Sequence, residues 1–174
     1  AFGKNQIKQL KLPKNIEMMS MEAFGKNQIK LLDLSNCKNI KEISIFAFLD
    51  NEIKELDLSQ CINLKYIGGD AFEYNQIKQL KLPKNIEIIS ESAFRYNQIE
   101  SLDLSNCTQL KKIDKNVFLD NPLKEIKILG NIEIEYDNYY KEDKWNKFAR
   151  YYNDNNKTEG DYKLENYEWQ WYPL

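Results

Sequence analysis

Residues 71–87 read "AFEYNQIKQLKLPKNIE", and residues 1–17 read "AFGKNQIKQLKLPKNIE". Nearly the same seventeen residues occur twice, seventy positions apart. Between and beyond them runs a shorter period. An Ala/Val-Phe-x-x-Asn-x-Ile/Leu block recurs six times, with its phenylalanines at Phe2, Phe24, Phe48, Phe72, Phe94 and Phe118. The asparagines keep step at Asn5, Asn27, Asn51, Asn75, Asn97 and Asn121. Successive phenylalanines are 22, 24, 24, 22 and 24 residues apart, so three repeats make one 70-residue unit, and that unit is duplicated. The 22-residue form carries "LKLPKNIE" and the 24-residue form "LDLSNC" or "LDLSQC".

Each asparagine is followed by L-x-x-L-x-L spacing, as in Ile77, Leu80 and Leu82, and then by a second apolar pair, as in Ile86 and Ile89. One such block has a single apolar face and nothing of its own to bury it against. Stacked copies bury it against each other, which is the logic of a solenoid. The L-x-L alternation predicts a short strand in every coil, paired in parallel with its neighbours. Phenylalanine then fills the far side of the coil. Asparagine, which bonds well to nearby backbone, holds the turn into the strand. Pro13 and Pro83 end the strand in the 22-residue form, because proline lacks the N–H a ladder needs.

The A-F-x-x-N and L-x-L-P blocks resemble the BspA-like family of bacterial leucine-rich repeats, over residues 1 to about 130. Where proline gives way to Ser-x-Cys, as at Ser35-Asn36-Cys37, the pattern is similar to cysteine-containing leucine-rich repeats. The resemblance implies an α/β repeat solenoid, a right-handed coil with short parallel strands. It also implies a cell-surface or extracellular setting, and adhesion to, or binding of, an extracellular or surface protein.

Composition narrows the function classes. The chain has 174 residues, a formal net charge of −2 and no histidine. Near-neutral charge gives no footprint for nucleic acid. No apolar run reaches the roughly 18 residues of a membrane span, and no signal peptide is visible in this stretch. Without histidine the commonest general base and metal ligand are missing. No Ser/His/Asp or Cys/His set can be assembled, so the chain reads as a non-enzyme with no cofactor and no metal. Cys37, Cys61 and Cys107 share one repeat position. Buried free thiols are the reading preferred over a disulfide or metal pair.

The outward strand positions form columns. One reads Lys8, Lys30, Lys54, Lys78, Glu100, Lys124, a lysine stripe; another alternates Lys11, Asp33, Asp57, Lys81, Asp103, Lys127. Lys30, Lys54 and Lys78, with Leu31 beside them, are the first candidate ligand contacts. The competing reading is a solvated face kept soluble by charge.

Composition shifts at about residue 131, giving two expected units: the solenoid over 1–130 and a C-terminal cap over 131–174. The last 44 residues hold eight tyrosines, three tryptophans and ten acidic against six basic residues. Trp145, Phe148, Ala149 and Tyr152 fall on one helical face, and Asn153 to Asn156 should end that helix. Tyr162 and Leu164, then Tyr167, Trp169 and Trp171, alternate as in a hairpin turning at Glu165-Asn166. A helix and hairpin of this kind suit a cap over the exposed last coil. An alternative is an aromatic surface for carbohydrate or cell wall at Trp169, Trp171 and Tyr172; a spacer with no ligand of its own is another. Because Ala1-Phe2 already lies inside a repeat, further repeats or a cap are expected before it, and the first coil is expected to associate end to end with another copy.

Overall fold

The computed structural model describes residues 2–174. Every coil yields two short strands. The L-x-L segments form β1 (Gln9–Lys11), β3 (Leu31–Asp33), β5 (Glu55–Asp57), β7 (Gln79–Lys81), β9 (Ser101–Asp103) and β11 (Glu125–Ile128). The second apolar pairs form β2 (Met18–Met19), β4 (Glu42–Ile43), β6 (Tyr66–Ile67), β8 (Ile88–Ile89), β10 (Lys112–Ile113) and β12 (Glu133–Ile134). The cap contributes helix α1 (Lys144–Asp154) and the hairpin β13 (Gly160–Glu165) and β14 (Glu168–Tyr172).

The two-residue strands make one continuous parallel sheet, in the order β12-β10-β8-β6-β4-β2. The L-x-L strands also pair in parallel, but in three groups: β1 with β3, β5 with β7, and β9 with β11. The return arm of the coil is therefore strand and turn, and among the described residues the one α-helix belongs to the cap. β12 still lies in the two-residue sheet, beside β10, and Ile132 and Ile134 are buried.

Inside the coil the phenylalanines stack. Ring centroids from Phe2 to Phe118 lie 5.2–5.8 Å apart and near-parallel. From Phe48 to Phe118 the rings are fully buried. The asparagines do what a tight turn needs. Asn75 Nδ2 donates to the carbonyls of Phe72 in its own coil and Phe48 in the coil before, at 3.2 and 3.0 Å. Its Oδ1 accepts from the Ile53 amide at 3.1 Å. Asn27, Asn51, Asn97 and Asn121 repeat the arrangement. In the 24-residue form an aspartate ends the strand: Asp33, Asp57 and Asp103 accept from the amides of Ser35, Ser59 and Ser105 at 2.9–3.0 Å. That short-range bond turns the chain where the other form uses proline.

The cap closes the stack. Asp143 caps α1 by accepting from the Trp145 amide at 2.8 Å. Trp145, Phe148, Ala149 and Tyr152 form its buried face. Trp145 meets Phe118 edge-on at 4.9 Å and so ends the phenylalanine column. The Tyr152 hydroxyl donates to the Leu129 carbonyl at 2.9 Å and accepts from the Ile132 amide at 3.1 Å. β13 pairs antiparallel with β11, which occupies the open ladder edge of the last coil. The hairpin turns one residue later than the expected Glu165-Asn166. Glu165 pairs with Glu168, leaving Asn166 and Tyr167 as the turn, both at positive φ (49° and 66°). Two left-handed residues match the right-handed twist of the flanking strands.

Candidate ligand face of the solenoid

The outward side chains of the L-x-L strands form an ordered surface of parallel columns. Lys30, Lys54 and Lys78 are all exposed on it, and Leu31 is 62% exposed. The backbone sets their spacing: the Lys30 amide donates to the Lys8 carbonyl and the Lys78 amide to the Lys54 carbonyl, both at 2.9 Å. The break between β3 and β5 separates these two pairs. At that break the ladder opens into a shallow depression of about 740 Å³. It is lined by exposed Leu31 and half-buried Leu32, by Lys8, Lys30 and Lys54 of the lysine column, and by Asp33, Glu55 and Asp57. A similar depression of about 700 Å³ lies at the β7/β9 break, over the half-buried Leu80. At the same repeat position Leu56 and Leu102, on the strands across these two breaks, are fully buried.

The BspA-type leucine-rich repeat region matches in six copies, over residues 1–124 and 37–147. The chain belongs to this family. The crystal structure of the pneumococcal vaccine antigen PcpA is similar to this BspA-type chain, with a TM-score of 0.55 and 22% sequence identity. The likeness covers 75% of this chain and 31% of PcpA, and at that identity it shows the fold: a solenoid of parallel strands. A search of curated proteins gives no match.

Charge on the BspA-type strand face is unevenly balanced. The alternating column neutralises itself across strands, Lys11 with Asp33 at 2.8 Å and Lys81 with Asp57 at 3.6 Å. Hydrogen bonds from Lys11 and then Ser35 hold the Asp33 carboxyl well below the ordinary carboxylate range. In the lysine stripe, Lys30 lies 3.4 Å from Glu52 and Lys124 2.7 Å from Glu100. Among the described residues, Lys8, Lys54 and Lys78 have no carboxylate within 4 Å.

The aromatic alternative separates into different environments. Trp169 is core, 3% exposed, with its ring against Phe148 and its Nε1 donating to the Lys144 carbonyl at 3.0 Å. Trp171 shares that side of the strand by period-two alternation, is 41% exposed, and donates from Nε1 to the Glu159 carbonyl at 3.0 Å. Tyr172 points to the opposite side, also 41% exposed, with its hydroxyl 2.7 Å from Glu165 and its ring 5.5 Å from the Lys163 ammonium. The three residues do not form one surface. The alternation that puts Trp169 into the cap core carries Tyr172 away from it.

Tyr172 joins the strand face instead. Lys163 pairs with Glu125, and Asp161 with both Lys127 and Tyr172. The hairpin therefore extends the outward columns of the solenoid by two strands and adds their one aromatic side chain. The sequence left this unread because the hairpin register is not a repeat position. The depression at the β3/β5 break has no signature in the repeat, because the same 24-residue step stays paired at β5–β7.

Cys37, Cys61 and Cys107 are free and buried. The Cys37 and Cys61 thiols point toward the carbonyls of Leu12 and Leu34 in the coils before them, each at 3.9 Å. Burial pushes Cys61 and Cys107 up to about 12, far from a thiolate at neutral pH.

Proposed function

We propose that this chain is a non-enzymatic binding module of a secreted or cell-surface protein, holding a partner protein on its strand face. The reading rests on the depression at the β3/β5 break, where exposed Leu31 and half-buried Leu32 lie among Lys8, Lys30 and Lys54 and the carboxylates of Asp33, Glu55 and Asp57, and where, among the described residues, Lys8 and Lys54 have no carboxylate within 4 Å. An apolar anchor with a charged rim is the arrangement that protein interfaces use. Stacked coils hold the rim in place before binding, so little ordering entropy is lost. The uncompensated side is basic, so the partner segment is acidic on the edge that meets Lys8, Lys54 and Lys78. The family and the likeness to a pneumococcal vaccine antigen support the extracellular setting.

The test is surface plasmon resonance against a panel of immobilised extracellular matrix glycoproteins. Replacing Lys30, Lys54 and Lys78 together by glutamate should abolish any saturable binding, and Leu31→Asp should weaken it at least tenfold. Binding that survives both changes removes this face from the function. An intact chain that binds no protein of the panel supports the spacer reading.

A further inference from the structure

A second surface lies on the loop edge of the coils, built by the two variable residues of A-F-x-x-N. Six coils place Lys4, Lys26, Asp50, Tyr74, Tyr96 and Asp120 at the same left-handed position, φ 53–58°. That region is unfavourable for a bulky side chain. Yet two neighbouring coils use tyrosine there. The rings of Tyr74 and Tyr96 stack with centroids 4.5 Å apart and planes 12° from parallel. The Arg95 guanidinium then lies 4.5 Å from the Tyr96 ring and 5.2 Å from Tyr140. The column reads ring, ring, cation, ring.

Its other end is open. Tyr74 is 50% exposed. The coil before it contributes Asp50, whose amide donates to the Glu73 carbonyl at 2.9 Å and whose side chain is too short to cover a ring. Asp70 and Glu73 lie in the same coil as Tyr74 and are half-buried. The nearby cations are engaged elsewhere, Arg95 with Asp120 at 3.3 Å and Lys115 with Glu91 at 3.4 Å. Among the described residues, Asp50, Asp70 and Glu73 have no cation within 4 Å.

We propose that the open face of Tyr74, with Asp50 next to it in the column, docks an arginine side chain of a partner protein. Arg95 between Tyr96 and Tyr140 is the fold's own version of this contact. A guanidinium over Tyr74 would continue the column by one member and place a positive charge beside Asp50, which among the described residues has no cation within 4 Å. Stacking and bidentate pairing together favour guanidinium over ammonium. This site is on a different edge from the strand face and does not depend on it.

The experiment is calorimetric titration of the full chain with a capped peptide of nine arginines, and with the nine-lysine peptide. The arginine peptide should bind more tightly than the lysine peptide. Tyr74→Leu should weaken it about fivefold, the loss of one cation–π contact of roughly 1 kcal/mol. Tyr74→Phe, which keeps the ring, should retain it, and Asp50→Asn should weaken it. Glu133→Gln, at the exposed position of β12, should leave it unchanged. Thermal melts check that each variant is folded. The proposal is overturned if the wild-type chain does not bind, if lysine binds as well as arginine, if Tyr74→Leu has no effect, or if Glu133→Gln weakens binding as much.

Discussion

Asn75 ties together two coils with one side chain: it answers carbonyls of Phe48 and Phe72 and the amide of Ile53. Replacing it by alanine strands buried backbone groups on both coils, each costing about 1–3 kcal/mol. Asn75→Ala should therefore lose at least about 2 kcal/mol in a urea titration, where an exposed substitution such as Lys54→Ala changes little. Glu73 makes a different residue-scale prediction. Burial, with Asp70 beside it, lifts its carboxyl to about 7 against the opposing pull of Arg95. A carboxyl raised in the fold stabilises it where the native group keeps its proton. That contribution is full below the ordinary 4.5 and fades as pH rises through about 7. The melting temperature should fall between pH 5 and pH 8, and Glu73→Gln should flatten that slope. An unchanged slope in the variant would show that Glu73 titrates normally. The sequence revealed the asparagine role because six copies stand in register. It did not reveal Glu73, whose neighbours Asp70 and Arg95 stand out only after the coils are stacked.

At the scale of elements, helix α1 was readable and the hairpin was readable except at its tip. Trp145, Phe148, Ala149 and Tyr152 declare a buried stripe by spacing alone, and the structure buries all four. The turn is different. Asn-Gly would have announced two left-handed residues; Asn166-Tyr167 does not, since tyrosine rarely adopts that region. Tyr167 is 87% exposed, so its ring gains little from packing. Tyr167→Gly should relieve the strain and raise stability by about 0.5–1 kcal/mol, the strain relief being partly offset by glycine's greater freedom in the unfolded chain. A lower melting temperature for this variant would mean that the ring contributes contacts beyond the turn. The same period-two logic explains why Trp169 and Tyr172 part company. Alternation fixes which side each takes, but which side is core follows from β13 docking on β11, a pairing the repeats do not encode.

Across the whole molecule, the repeat predicts the coil and its phenylalanine core, while the breaks in the L-x-L ladder come from how the coils settle against one another. The 22- and 24-residue steps do not explain them: a 24-residue step is paired at β5–β7 and unpaired at β3–β5. The candidate site was therefore legible as columns of side chains and illegible as a depression. The stacked rings supply the long-range test. Phe72 is fully buried between Phe48 and Phe94, with centroids 5.2 and 5.4 Å away, whereas Phe2 is 61% exposed and has Phe24 on one side only. Phe72→Ala removes a ring that both flanking coils rest on, and should cost about 3–5 kcal/mol. Phe2→Ala should cost well under half of that, because most of its ring already faces water. If interior coils draw stability from both neighbours, the Phe72→Ala chain also unfolds as one lowered transition, because neither half retains a closed core. Two separated transitions in a denaturant titration, or equal losses for the two variants, would show that the coils are stable one by one and that the column does not couple them.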